Sequence, residues 1–148
     1  MIFVASAASA PAASGAYALA LRLDAPLEIR LGKIAAQLPA GDYLYCGSAN
    51  GPGGLRARLA RHMRPKKRVH WHIDRLTAVA HVLGAFVEEA GDECALNAAL
   101  GDLPIPVAGF GSSDCRRCVA HLRYWPAGAA LPSRWENARK AAESPPPA

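Results

Sequence analysis

Hydrophobic and polar positions change period along this chain, and the changes mark out its elements. Gly15–Leu23 (GAYALALRL) is mostly apolar and loosely alternating, which predicts a buried strand ended by the turn signal Asp24-Ala25-Pro26. Leu27–Leu31 (LEIRL) alternates with period two, as a strand with one wet face does. Pro39-Ala40-Gly41 is a further turn signal, and residues 42–47 (DYLYCG) predict a third strand. Three short strands in succession predict an antiparallel meander.

The period then lengthens. Residues 48–54 (SANGPGG) break regular structure, because their glycines and Pro52 permit a tight, positive-φ path. Residues 55–64 predict a helix that Pro65 stops, and residues 71–79 a second one. Residues 82–87 (VLGAFV) read as a buried strand, and Gly91-Asp92 precedes a helix over 93–100. Residues 104–113 are irregular, and residues 121–125 (HLRYW) predict a last strand. From Pro126 the composition shifts to Ala, Pro and charge, which reads as a linker or disordered tail with a short helix near Trp135. The expected organisation is a flexible extension over residues 1–14, a compact α/β domain of the α+β kind over 15–125, and a Pro/Ala-rich tail over 126–148. There is no internal repeat.

The first helix carries unusual chemistry. On a helical wheel Leu55, Arg58, Leu59, His62 and Met63 share one face, while Arg56, Arg61 and Arg64 point toward solvent. An unpartnered buried guanidinium is costly, so Arg58 is expected to meet an anion or to sit on a cleft floor. The competing readings are a side chain that snorkels from the stripe's edge or forms an internal ion pair, and a His62 that is a satisfied core histidine. Both residues, one turn apart and just after a glycine-rich turn, favour a site.

Composition and charge sharpen this. The 148 residues are 51% hydrophobic and 20% charged, as in a single globular domain, and the net charge is +5 from 17 basic and 12 acidic residues. No acidic residue lies between Asp42 and Asp74, a span that holds Arg56, Arg58, Arg61, Arg64, Lys66, Lys67 and Arg68. Such a block favours a phosphate backbone; its alternative is a solvated basic helix. No apolar run has the length to span a bilayer. The start, MIFVASAASAPAAS, lacks the positive n-region of a secretory signal, so the expected location is cytoplasmic, with cysteines reduced or metal-bound.

Gly15-Ala16-Tyr17, then Tyr45-Cys46-Gly47, then Leu55-x-x-Arg58-x-x-x-His62, then a helical Glu93, together resemble the GIY-YIG nuclease superfamily. GSANGPGGL, HWHID and GFGSSDC are similar to its small stand-alone Uri-type branch, formerly a domain of unknown function. The resemblance covers residues 15–125 and implies a three-stranded antiparallel central sheet flanked by helices, with an extra C-terminal strand here. It also implies in-line hydrolysis of phosphodiester bonds in DNA by water, with one divalent cation, Mg²⁺ or Mn²⁺. By matching position, Tyr17 and Tyr45 would share a cleft, with Tyr17 the better candidate to activate water. Arg58 would hold the scissile phosphate, His62 would assist the nucleophile or bind phosphate, and Glu93 would be the metal-binding acid. Gly47 would let the backbone approach nucleic acid, with Arg56, Arg61, Lys66, Lys67, Arg68 and His72 as further contacts. The chain departs from the family at Ala16 and Cys46, where aliphatic β-branched residues are usual. It also departs at the late Asn, for which Asn97 or Ser112-Ser113-Asp114 are the substitutes.

Two other constellations stand out. In His70-Trp71-His72-x-Asp74 the acid is spaced to orient the His70 ring, a histidine is expected to line the cleft, and Trp71 either fills the core or stacks on a base. Cys115-x-x-Cys118-x-x-His121 has zinc-ligand types, with Cys94, His70 or His72 as candidates for a fourth; packed, reduced thiols are the default. The leading expectation is a metal-dependent endonuclease on DNA, single-stranded or branched forms included, with RNA open as a substrate. The alternatives are a non-cleaving nucleic-acid-binding module of the same fold and a zinc-stabilised interaction domain.

Overall fold

In a computed structural model, which describes residues 1–144, Tyr17, Leu19 and Leu21 point to one side of a central strand and Ala16, Ala18 and Ala20 to the other. That strand is β2 (Gly15–Leu23), following β1 (Ile2–Val4). Next come β3 (Leu27–Leu31), β4 (Ile34–Leu38), β5 (Gly41–Ala49), α1 (Gly54–Met63) and α2 (His72–Thr77). The chain continues with β6 (His81–Glu89), α3 (Glu93–Ala99), β7 (Leu122–Trp125) and α4 (Ser133–Glu143). Five strands form one antiparallel sheet in the order β1-β6-β2-β5-β7, and β3 and β4 form a separate hairpin. The fold is α+β, with a core on each face of the sheet.

The large-residue face of β2 continues through Tyr43 and Tyr45 of β5 and Val87 of β6, and is covered by Leu55 and Leu59 of α1, Ile73 and Leu76 of α2, and Phe110. The alanine face leaves room for bulk from outside the sheet. Phe86, Leu96, Leu100 and Trp135 fill it. The ring centroids of Phe86 and Trp135 are 4.9 Å apart, and Trp135 is 1% exposed.

Three expectations are corrected. Residues 1–14 are not simply an extension: β1 pairs with β6, matching Phe3 with Phe86, and their rings meet edge-on at 4.9 Å. Gly84, at φ +149°, admits Phe3, because a Cβ there would lie 2.5 Å from Phe3 Cζ. Residues 10–13 then run under α1, where the Ala13 and Pro11 carbonyls accept the backbone N–H groups of Leu55 and Arg56 at 2.9 and 3.0 Å. Two donors left open by the start of a helix are thereby satisfied. Residues 126–144 are not a tail either, since α4 packs Trp135 and Ala138 onto the alanine face; residues 145–148 of the expected tail lie outside those described. Finally, β3 joins no meander. It pairs with β4, a strand whose Ala35-Ala36-Gln37 centre carries little β signal, across a two-residue turn that needs Gly32 at φ +62°.

Candidate active site and metal cluster

The 48–54 turn places α1 against the sheet by a close approach: Gly53 and Gly54 have φ of +81° and +58°, and a Cβ on Gly54 would lie 2.3 Å from the Ala13 carbonyl oxygen. This aims α1's apolar face at β2 and β5, where Leu55, Leu59 and His62 are buried. Beside that face opens a cleft of about 500 Å³ whose lining includes Tyr17, Tyr45, Gly47, Arg58, Trp71 and Glu93. Tyr17, Tyr45 and Gly47 come from neighbouring strands, Arg58 from α1, and Glu93 from the first turn of α3.

His62 lies behind the cleft wall. Its Nε2 is 2.6 Å from the Tyr17 hydroxyl, both side chains are almost fully buried, and its Nδ1 has no hydrogen-bond partner among the described residues. Burial pushes the imidazole from 6.5 down to about 3, so the ring is neutral. Burial likewise raises the Tyr17 and Tyr45 phenols, while Arg58 draws both in the opposite direction. Gly47 serves the same pair: a Cβ there would lie 2.5 Å from the Tyr17 hydroxyl oxygen. Arg58 is half-buried, its guanidinium carbon 4.5 Å from the centre of the Trp71 ring, and among the described residues it makes no ion pair.

Several residues expected at a nucleic-acid surface are occupied with the fold. Arg61 does not point freely into solvent: it grips the fully buried Asp74 carboxylate with two bonds of 2.8 and 2.9 Å, and stacks 4.1 Å from Trp71. Arg56 Nε donates to the Ala10 carbonyl, and Lys67 donates to the His62 and Arg64 carbonyls at the end of α1. His72 Nδ1 accepts the Gly111 N–H at 3.0 Å. Asp74 takes the backbone N–H groups of His70 and Trp71 rather than the His70 ring, and the ring is exposed. Neither histidine lines the cleft; Trp71 does. Lys66 and Arg68 remain exposed.

The long connection from α3 to β7 completes the wall with Gly111, Asp114, Arg116, Arg117 and His121. Arg116 and Arg117 escaped notice in the sequence because a loop has no period to set them on a face. Of the substitutes for the late Asn, Asn97 is spent on the Ala120 carbonyl and Arg123, whereas Asp114 reaches the cleft. The same connection brings Cys115, Cys118 and His121 to Cys94 on α3, with one ligand atom of each within 4.8 Å of the others. The Cys115 thiol is drawn to about 6, chiefly by the backbone N–H of Arg117, while burial pushes Cys94 up to about 12.

A family model described as "Domain of unknown function DUF123" matches residues 16–143. The chain belongs to that family. The DUF123 match runs through α4, in keeping with Trp135 as core rather than tail. No curated protein and no solved structure matches the chain.

Proposed function

We propose that this DUF123 protein is a metal-dependent endonuclease of the GIY-YIG type, cutting phosphodiester bonds in DNA. One observation carries the reading. Tyr17, Tyr45, Arg58 and Glu93, far apart in sequence, line one cleft in which Arg58 is free of any described carboxylate. A half-buried, permanently charged guanidinium that stacks on Trp71 and has no carboxylate partner among the described residues is suited to an anion from outside, and a planar fork suits a phosphate.

The roles follow from the contacts. Arg58 binds the scissile phosphate and offsets the charge that grows on its oxygens. The neutral His62 accepts a hydrogen bond from the Tyr17 hydroxyl at Nε2, which holds the phenolic oxygen in place at the cleft without taking its proton. Burial keeps this phenol protonated, and the Arg58 guanidinium works against that, so positive charge at the cleft favours the phenolate that would take a proton from an attacking water. Glu93, 31% exposed at its side chain, is an oxygen donor that fits a hard cation such as Mg²⁺ or Mn²⁺, with Asp114 on the same cleft as a second. When bound, such a cation neutralises phosphate charge and acidifies a coordinated water. Arg116, Arg117, Lys66 and Arg68 steer the backbone, so binding is dominated by phosphate contacts and falls with salt. Among the described residues no helix is long and apolar enough to cross a membrane, and the free cysteines suit a reducing cytoplasm.

The test is a panel of labelled single-stranded, duplex, flap and junction DNAs and RNAs with Mg²⁺ or Mn²⁺. Arg58→Ala and Glu93→Ala are each expected to lower cleavage by about 10²-fold or more. Cleavage unchanged in both variants overturns the site assignment. Salt-dependent binding without turnover under every condition assigns the cleft to a non-cleaving module instead.

A further inference from the structure

We propose that Cys94, Cys115, Cys118 and His121 form a closed, structural zinc site that clamps the α3–β7 connection onto α3. The donor set is three sulfurs and an imidazole, all within 4.8 Å of one another with no ion present. The Sγ atoms of Cys94 and Cys115 are 3.6 Å apart. Zinc–sulfur bonds of about 2.3 Å in a tetrahedron set sulfurs about 3.8 Å apart, so the cysteines stand near ligand spacing and far from the about 2.0 Å of a disulfide.

A second observation points to a ligand. His121 is 2% exposed, yet its Nε2 has no hydrogen-bond partner among the described residues, and its Nδ1 lies 3.8 Å from the Glu93 carboxylate. A buried ring nitrogen without a hydrogen-bond partner is costly, and a metal bond at that nitrogen removes the cost. A carboxylate beside the other nitrogen is the usual way a ligating histidine is oriented.

The fold supplies the reason for a clamp. Between α3 and β7 the chain runs from Leu100 to His121 without a helix or strand, longer than most connections in a compact domain. Backbone bonds from Gly109 to Val119 and from His121 to Phe110 close it on itself, and Asn97 ties down Ala120. Zinc adds a cross-link between residues 21 apart, Cys94 and Cys115, and so fixes the first turn of α3 beside the loop. Glu93 sits in that turn, and Asp114 lies next to a ligand. Four protein ligands leave no open position for substrate, so this ion holds the wall and does not occupy the place of the Glu93 cation.

Full-length protein expressed with zinc and purified without chelator is expected to hold about one zinc per chain. Cobalt replacing it is expected to give the thiolate charge-transfer and intense d–d bands of a tetrahedral site. Cys94→Ser and Cys118→Ser should each reduce tight zinc several-fold. His121→Cys, which keeps four soft ligands, should retain it. Arg58→Ala should also retain it, so loss of the nuclease reading leaves this result standing. Should a serine variant fail to fold, the cobalt spectrum and metal content of the unaltered protein still decide. Zinc well below one equivalent, or an octahedral cobalt spectrum, overturns the proposal, as does full zinc retention in both serine variants.

Discussion

Asp74→Asn tests the joint that holds Trp71 and Arg61 beside the cleft. Asp74 is fully buried and accepts four bonds: two from Arg61 at 2.8 and 2.9 Å, and the backbone N–H groups of His70 and Trp71 at 2.8 Å each. Asparagine keeps one acceptor oxygen for the backbone donors, but loses the charge and turns an amide N–H toward the guanidinium. Breaking one partner of a buried pair costs about 3–5 kcal/mol; Arg61 is 23% exposed, which places this case near about 3 kcal/mol. For a chain of this length that is a fall in Tm of about 6–12 °C. Asp42→Asn is the comparator, because its partner Arg22 is 54% exposed and such a pair contributes under about 1 kcal/mol. Thermal and urea unfolding followed by circular dichroism measures both. Equal, small losses in the two variants would refute the reasoning, by showing that the Asp74 network is as well solvated as a surface pair. Acid adds a second readout. Burial pushes the Asp74 carboxyl up, but the bonds from Arg61, Trp71 and His70 outweigh it and hold the group well below the usual carboxylate range. Its contribution is therefore complete above about pH 4 and is lost as pH falls further, a limb that Asp74→Asn should flatten.

His62 acts in a higher window. Its folded pKa is depressed from 6.5 to about 3, so the unfolded chain binds the proton first and stability falls as pH drops from about 6.5 toward 3, by up to about 5 kcal/mol. His72, also lowered by burial, adds in the same direction. His62→Gln should make the urea midpoint less dependent on pH between 6.5 and 4, and an unchanged slope would mean the ring is not held neutral. Gly47→Ala would put a methyl group against the Tyr17 hydroxyl, so cleavage should fall at least about tenfold with the circular dichroism spectrum retained; a wild-type rate would show that Tyr17 can move without consequence. Trp135→Ala should cost about 3–5 kcal/mol by emptying the alanine face, whereas a loss near zero in the unfolding midpoint would restore the reading of this segment as a tail.

The elements that pack through their own periodicity were legible in the residues. The alternation in Gly15–Leu23, the 3.6-residue stripe of Leu55, Leu59 and His62, and the glycine turn before it each express a local rule, and they appear as β2, α1 and a positive-φ approach. The sequence alone also marked Arg58 as a misfit on a buried face, because a charge within an apolar stripe needs a reason. Tertiary structure decided what depends on the partner rather than on the segment. Ile2–Val4 is too short to read as a strand until β6 offers it an edge, and Trp135 belongs to the core only because alanines on β2 leave it space. The basic block looked uniform in one dimension. In three, Arg61, Lys67 and Arg56 are bound to Asp74 and to carbonyls, while Arg58 keeps its charge for the cleft. Cys94 was one of three residues able to join Cys115, Cys118 and His121; only the path of the irregular loop chose it, since that loop is set by long-range contacts and not by any repeat in its own residues.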